Sequence, residues 1–230
     1  MYYFRDRSQA GQLLARRLRR YTGRDDVIVL ALPRGGVPVA YAIASALNVP
    51  LDVFVVRKLG VPGEEELAMG AIASGGVRVL SQELIEELGL TDEDVERVAA
   101  RELAELQRRE RVFRGDRPFP DLEGKTVILV DDGIATGATM RAAIRAVRAH
   151  RPARVSVAVP VGAPQALEAL QDEADELICL LSPEVLMGIG AWYQDFSQLS
   201  DAEVMAYLQR SRTGAHAMSA DGQAQPATLH

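Results

Sequence analysis

The sequence predicts an α/β protein in which a parallel sheet is flanked by helices and carries an inserted hood or lid subdomain. Short apolar runs, typical of strands buried on both faces, alternate with helical patterns in two parts of the chain. Between them lies a long segment, rich in Arg and Glu, in which this alternation stops. A chain of 230 residues has room for one packed domain with such an insertion.

Two blocks of alternating elements make up the predicted core. In the first, Ser8 can cap a helix that ends at Gly23, and a strand, a helix and a strand follow at 27–32, about 37–47 and 51–56. In the second, strands and helices alternate in the order 126–131, about 138–149, 154–160, about 164–171 and 176–181. A helix that connects two buried strands places them parallel, so these blocks form one Rossmann-like sheet covered on both faces.

Residues 57–120 are predicted to leave this core and form the hood or lid. The run at 70–80 is typical of a hairpin, and Thr91 with Asp94 opens a long helix that ends near Phe113. The predicted domain covers 1–210, with core segments at about 25–56 and 121–200, and we expect 211–230, which lack periodicity, to form a disordered tail.

Composition argues against several classes of protein. The longest apolar runs fall far short of the roughly 20 residues that cross a bilayer. The charged N-terminus does not look like a signal peptide, so we expect a cytoplasmic protein without membrane contact. Cys179 is the only cysteine, which excludes an intramolecular disulfide, and three scattered histidines argue against a zinc site or a Ser-His hydrolase. The formal net charge of −6 argues against nucleic acid as a partner.

One buried strand runs directly into two adjacent carboxylates, Asp131 and Asp132. Such carboxylates are costly unless a ligand needs them, and ligands of open parallel sheets bind beyond the carboxyl ends of the strands. The following GIATGAT supplies small residues, two threonine hydroxyls and a helix N-terminus, a setting that favours a phosphate. Because carboxylates repel phosphate, the acids must accept hydroxyls or a metal ion that the substrate carries. A ribose 5-phosphate group satisfies both halves of the motif.

Known phosphate loops fit this stretch badly. A Walker A loop requires a lysine after its last glycine, whereas Ala138 follows Gly137. A dinucleotide-binding loop requires G-x-G-x-x-G after the first strand, and PRGGVP at 33–38 does not provide it. The acid pair and its loop therefore define another kind of phosphate site.

The stretch VILVDDGIATGAT at 127–139 resembles the phosphoribosyl-pyrophosphate signature of type I phosphoribosyltransferases. It contains a hydrophobic strand, an acidic pair, small residues and T-G-x-T in the order of that signature. The resemblance implies the type I phosphoribosyltransferase fold, with Asp131 and Asp132 holding the ribose hydroxyls. It also implies that the residues of the next loop wrap the 5-phosphate, namely Gly133, Ala135, Thr136, Gly137, Ala138 and Thr139.

Two further segments are similar to the same family. LPRGGVP at 32–38 resembles its pyrophosphate loop, in which Gly35 and Gly36 let backbone N–H groups approach the anion while Arg34 adds positive charge. VVRKLGVPGEEELAMGAI at 55–72 resembles the flexible catalytic loop region of purine-type members.

The second resemblance implies that Arg57 and Lys58 meet the pyrophosphate, and a solvated basic pair at a strand end is the alternative interpretation. Glu64, Glu65 and Glu66 are candidates for a base that takes a proton from the acceptor, or are three solvated charges. The segment GAWYQDFSQLSD also resembles the base-binding end of several phosphoribosyltransferases. Its aromatic residues can stack on a planar base or form a hydrophobic seam that docks the final helix: Trp192, Tyr193 and Phe196.

The resemblance implies an enzyme of nucleotide salvage that moves the 5-phosphoribosyl group of phosphoribosyl pyrophosphate to a nitrogenous base or similar small acceptor. Magnesium is expected through the substrate, with no metal held by the protein alone, and a homodimer is expected by the same resemblance. The expected catalytic residues are Asp131, Asp132, Arg34 and Lys58. The alternative is a regulator that senses phosphoribosyl pyrophosphate without turnover. The sequence does not identify the acceptor.

Overall fold

Short apolar segments build the central sheet of this molecule. In the computed structural model, which describes residues 3–221, its strands are β1 (Val27–Ala31), β2 (Leu51–Val53), β6 (Thr126–Val130), β7 (Arg154–Val161) and β8 (Glu176–Leu181). These five strands are parallel and lie in the order β2-β1-β6-β7-β8. Every residue of β1 and β6 is buried because both faces of these central strands are covered, which confirms the predicted fold class.

Successive residues of the central strands point to opposite faces and enter two separate hydrophobic cores. Val29 of β1 packs into one core, whereas Leu30 packs into the other. The helices on the first face are α1 (Arg7–Arg17), α2 (Gly36–Leu47) and α7 (Asp201–Asp221). Those on the second face are α5 (Ala138–Arg148) and α6 (Pro164–Gln171). The parallel strands therefore all end at one edge, where the loops into α2 and α5 meet.

A second, antiparallel sheet occupies the segment predicted to form the hood. Its strands are β3 (Val56–Val61), β4 (Glu64–Ala73) and β5 (Val77–Leu80), paired in the order β3-β4-β5. Two helices follow, α3 (Gln82–Glu87) and α4 (Asp92–Arg114). The predicted capping box is present, because the Thr91 hydroxyl accepts from the Asp94 N–H and the Asp94 carboxylate accepts from the Thr91 N–H.

Three expectations about local structure need correction. Asp6 rather than Ser8 caps α1, since its carboxylate accepts from the Gln9 N–H at 2.7 Å. The strand predicted at 51–56 divides, because the chain leaves the central sheet after Val53 and β3 pairs with β4 instead. Helix α7 continues to Asp221 through residues predicted to be a disordered tail, and the tail residues 222–230 lie outside the described part of the chain.

None of the helices within residues 3–221 combines the length and the apolar character needed to span a membrane.

Candidate active site

Asp131 and Asp132 follow β6 at the carboxyl edge of the sheet, where the sequence predicted a ligand site. The Asp131 carboxylate accepts from the backbone N–H of Asp132 at 2.8 Å. Burial raises the pKa of Asp131 well above its ordinary value, and the neighbouring Asp132 charge raises it further. An ionised Asp131 therefore has too little positive charge around it in this structure to offset its burial and the neighbouring negative charge.

Arg7 supplies a counter-charge to this pair, and no pattern in the sequence indicated that role. Its Nε atom donates to Asp132 Oδ2 at 2.8 Å, with side-chain exposures of 11% and 14%. Burial raises the pKa of Asp132, and the Arg7 guanidinium opposes that rise only in part. The two residues are 125 positions apart, so no local pattern links them.

Aromatic residues after β8 hold Arg7 in place. The Arg7 guanidinium lies 3.8 Å from the centroid of the Phe196 ring and donates to the Ser197 carbonyl at 3.0 Å. The Tyr193 hydroxyl donates to the backbone carbonyl of Asp132 at 2.6 Å. The site therefore joins the first helix, the end of β6 and the segment that precedes α7.

The three aromatic residues considered for base stacking form a seam in the structure. Tyr193 is buried between Phe4 and Phe196, with ring centroids 5.4 and 5.0 Å away. The Trp192 ring is 6.2 Å from that of Tyr3, and the Phe4 N–H donates to the Trp192 carbonyl at 2.9 Å. This geometry favours the seam interpretation. Its partner, however, is the N-terminal segment rather than the final helix.

The predicted phosphate loop runs from Gly133 into the N-terminus of α5. Gly137 caps that helix with a φ of +79°, a conformation that glycine adopts readily. The Thr136 hydroxyl accepts from the Ala138 N–H at 3.4 Å. A cavity of about 210 Å³ opens here, lined by Asp131, Gly133, Ile134, Ala135, Thr136, Gly137, Thr139, Met140 and Ile189. Free N–H groups at the start of a helix make this cavity suited to a phosphate.

The turn between β1 and α2 packs directly on the acid pair. A Cβ atom at Gly35 would overlap the Asp132 carboxylate, and one at Gly36 would lie 2.6 Å from the Val130 carbonyl oxygen. Glycine is therefore needed here for close packing, a reason that the sequence did not suggest. The predicted approach of an anion to this turn stays a prediction.

The basic residues predicted to bind pyrophosphate lie in three different settings. Arg34 is 40% exposed, and its Nη1 atom is 3.9 Å from Asp201 Oδ1 at the start of α7. Arg57 donates from Nε to Glu102 of α4 at 2.8 Å. Lys58 lies on the other side of β3, in a cavity of about 200 Å³ that Ala138 of the phosphate loop also lines. Of the two adjacent basic residues, Lys58 is the one on the side of the phosphate loop.

No group of three or more metal-binding side chains occurs among the described residues 3–221. The two adjacent carboxylates are the hard oxygen donors that magnesium prefers, but magnesium usually binds one or two carboxylates together with substrate phosphates and water. The donor set therefore fits a magnesium ion held mainly by a substrate. Glu64 and Glu65, the candidate bases, are exposed on β4, and the side chain of Glu66 lies outside the described part of the chain.

Comparison with known proteins agrees with this geometry. The family model for the phosphoribosyl transferase domain matches residues 6–189, and the chain belongs to that family. A provisionally named phosphoribosyl transferase of Mycobacterium tuberculosis is 46% identical over 227 residues, which are 98% of this chain and 51% of that protein. The chain thus spans about half the length of this curated relative.

Two solved structures are similar in fold. The crystal structure of TT1426 from Thermus thermophilus is 44% identical, with a TM-score of 0.82 over 91% of this chain and 99% of that one. A Neisseria gonorrhoeae protein of unassigned function, crystallised with bound ppGpp, is 16% identical, with a TM-score of 0.50 over 92% and 96% of the two chains. The second likeness concerns the fold alone. Together with the family match, the first confirms the type I phosphoribosyltransferase fold.

Proposed function

We propose that this chain transfers the 5-phosphoribosyl group of phosphoribosyl pyrophosphate to a nitrogenous base or a similar small acceptor and releases pyrophosphate. The observation that carries the proposal is the position of the acid pair, which lies between the phosphate-loop cavity and the Gly35–Gly36 turn. A sugar with a phosphate at one end and a pyrophosphate at the other matches the three parts of this site. Nucleotide salvage, a cytoplasmic location and a homodimer stay predictions.

The acid pair would fix the ribose ring. Ribose hydroxyls can donate to Asp131 and Asp132, and hydrogen bonds to charged groups contribute about 1.5–3 kcal/mol each. The loop from Gly133 to Thr139 would hold the 5-phosphate through backbone N–H groups and threonine hydroxyls. Fixing the sugar at both ends aims its anomeric carbon at the acceptor, which lowers the entropic part of the barrier.

The basic residues would act on the leaving group. When the bond between the anomeric carbon and pyrophosphate breaks, positive charge builds on the ribose and negative charge on the pyrophosphate. Arg34, Lys58 and the Gly35 N–H are proposed to bind that negative charge more tightly as it grows. The Gly36 N–H, which the sequence also suggested for this role, donates instead to the Leu32 carbonyl oxygen at 3.1 Å. Magnesium, if carried by the substrate, would add Lewis-acid stabilisation of the negative charge on the leaving pyrophosphate.

A second candidate function is a sensor that binds phosphoribosyl pyrophosphate without turnover. The observation that favours it is the ion pair between Arg57 and Glu102, which engages one of the two catalytic-loop cations inside the hood. The two functions differ in one measurable product. The protein is assayed with magnesium, phosphoribosyl pyrophosphate and a panel of purines, pyrimidines and other amines. Release of pyrophosphate with at least one of these acceptors supports the transferase. Saturable binding without release across the panel contradicts it and supports the sensor.

The binding role of the acid pair can be tested apart from turnover. Asp131→Asn and Asp132→Asn should each weaken magnesium-dependent binding of phosphoribosyl pyrophosphate by about tenfold or more, because each removes a charged acceptor. Isothermal titration calorimetry measures this loss. Asp172→Asn, which removes an exposed carboxylate after α6, is the matched control and should bind like the wild type. Wild-type affinity in both acid-pair variants would refute the assignment.

A further inference from the structure

Arg7 lies at an unusual place for a positively charged side chain. It is the first residue of α1, and the N–H groups at a helix N-terminus carry partial positive charge, which disfavours a cation there. Its side chain is only 11% exposed, although a guanidinium withdrawn from water is costly without an acceptor. The requirements of the helix therefore do not explain an arginine at this position. The bond from Arg7 to Asp132 of the acid pair does.

The two members of the acid pair have different surroundings. Asp132 Oδ2 accepts from Arg7 Nε at 2.8 Å, whereas the Asp131 carboxylate accepts from the backbone N–H of Asp132 at 2.8 Å. Asp131 also lines the cavity at the phosphate loop. Adjacent carboxylates repel each other, so without a nearby cation one of them takes up a proton and becomes a poorer acceptor for hydroxyl groups. The Arg7 charge therefore favours a pair that can accept from a sugar.

The segment after β8 holds Arg7 from the other side. The Arg7 guanidinium lies 3.8 Å from the centroid of the Phe196 ring and donates to the Ser197 carbonyl at 3.0 Å. The Tyr193 hydroxyl donates to the backbone carbonyl of Asp132 at 2.6 Å, which fixes the other partner of the ion pair. Arg7 is not among the described residues that line the phosphate-loop cavity, so it would act on a ligand there through Asp132.

We propose that Arg7 is a positioning residue that adapts the acid pair to the two ribose hydroxyls of a sugar phosphate. Its guanidinium holds the Asp132 carboxylate charged and in a fixed orientation beside Asp131. The pair then accepts from both hydroxyls of the sugar, and a sugar that lacks one of them leaves a charged acceptor unpaired. The inference rests on the proposed function, which assigns the ribose to the acid pair. It adds a preference for ribose over 2-deoxyribose phosphates and names the residue that maintains this preference.

The experiment is a calorimetric titration of the full-length protein with ribose 5-phosphate. We expect Arg7→Gln to weaken binding by about tenfold or more, because Asp132 loses its charged donor. Arg7→Lys keeps the positive charge without the planar fork, so it should bind more tightly than Arg7→Gln and more weakly than the wild type. Arg17→Gln, which replaces an exposed arginine in the last turn of the same helix, is the matched control and should bind like the wild type.

A second titration, with 2-deoxyribose 5-phosphate, separates positioning from a merely structural role. This sugar keeps the phosphate and lacks one hydroxyl. In Arg7→Gln its affinity should fall by less than the affinity for ribose 5-phosphate, so the preference of the wild type for ribose should shrink. Equal losses for the two sugars, or wild-type binding of ribose 5-phosphate in Arg7→Gln, would overturn the proposal.

The proposed function can fail separately from this inference. Wild-type affinity for ribose 5-phosphate in both Asp131→Asn and Asp132→Asn contradicts the ribose assignment, and the role of Arg7 with it. A loss in those variants with wild-type affinity in Arg7→Gln contradicts the role of Arg7 alone.

Thermal melts of each variant check folding. If Arg7→Gln does not fold, Phe196→Leu decides the outcome, because it removes the aromatic ring beside the guanidinium and keeps both charges of the ion pair. We expect Phe196→Leu to weaken ribose 5-phosphate binding by about two- to fivefold, and wild-type affinity in this variant would then overturn the proposal.

Discussion

Asp131 and Asp132 are two partly buried acidic groups that share the positive charge of one arginine. Arg7 bonds to Asp132 at 2.8 Å, whereas Asp131 accepts from the backbone N–H of Asp132. Burial raises the pKa of both carboxyl groups. A folded state that disfavours its own carboxylates gives up stability, as expected where an active site requires charge that a ligand will later satisfy.

Asp131→Asn should stabilise the protein, and the gain should grow with pH. The pKa of Asp131 is higher in the folded state than in the unfolded state, which ionises at about pH 4. The wild type therefore loses stability as pH rises from about 4 through the raised pKa of the folded state. Asparagine does not ionise, so the variant escapes this loss. Each tenfold difference in proton affinity between the folded and unfolded states corresponds to about 1.4 kcal/mol in the free energy of unfolding. Urea denaturation of both proteins at a series of pH values measures the difference.

Asp26→Asn is a control whose effect on stability should depend on pH in the opposite direction. The bond from Arg24 lowers the pKa of the exposed Asp26, so its contribution is present above the ordinary carboxyl pKa and disappears as pH falls. A stability difference for Asp131→Asn that does not change with pH would contradict the assigned role of burial.

At the scale of elements, the sequence predicted what is encoded locally. Strands apolar on both faces, the capping box of α4 and the loops after β1 and β6 are all short-range signals. The division of the strand predicted at 51–56 is not a local feature, since it accompanies contacts with a distant segment: the Val55 N–H donates to Ser74 Oγ at 3.0 Å, and β3 pairs with β4. The ion pair of Arg7 with Asp132 is not local either. Contacts between distant segments leave no periodic pattern, so the positive charge beside the acid pair could not be predicted from the sequence.

The turn from β1 into α2 provides a prediction at this scale. Gly35 has a φ of −59°, which alanine adopts without strain, so Gly35→Ala tests packing alone. Its Cβ would overlap the Asp132 carboxylate and displace it from Arg7. We expect a loss of about 1–3 kcal/mol in the free energy of unfolding, typical of overpacking, together with weaker binding of ribose 5-phosphate. Urea denaturation and calorimetry measure the two effects.

Gly124→Ala separates this effect from a general cost of replacing glycine. Gly124 has a φ of +69° and open space around its Cβ position. Alanine there should cost about 1–2 kcal/mol through the backbone and leave ribose 5-phosphate binding unchanged. Unchanged binding in Gly35→Ala as well would mean that the turn and the acid pair do not act together.

At the scale of the whole molecule, the segment predicted as a hood shares a core with the parallel sheet. Leu59 and Met69 of the antiparallel sheet and Leu106 of α4 belong to the same buried cluster as Val29 of β1 and Leu208 of α7. The sequence indicated an insertion but could not show this packing. A periodic pattern shows which face of a helix or strand is apolar, but it does not show which other element that face packs against. A shared core predicts that the two sheets unfold together.

Leu106→Ala tests this cooperativity. Leu106 is 2% exposed, so its truncation should cost about 2–5 kcal/mol, whereas Leu103→Ala on the same helix, at 41% exposure, should cost far less. Trp192 is the only tryptophan and lies near the acid pair, so its fluorescence reports on the active-site end, while far-ultraviolet circular dichroism reports on all helices, including α4. In Leu106→Ala the two signals should change in one coincident urea transition. A loss of helix signal that precedes the fluorescence change would show that α4 and the antiparallel sheet unfold as a separate unit.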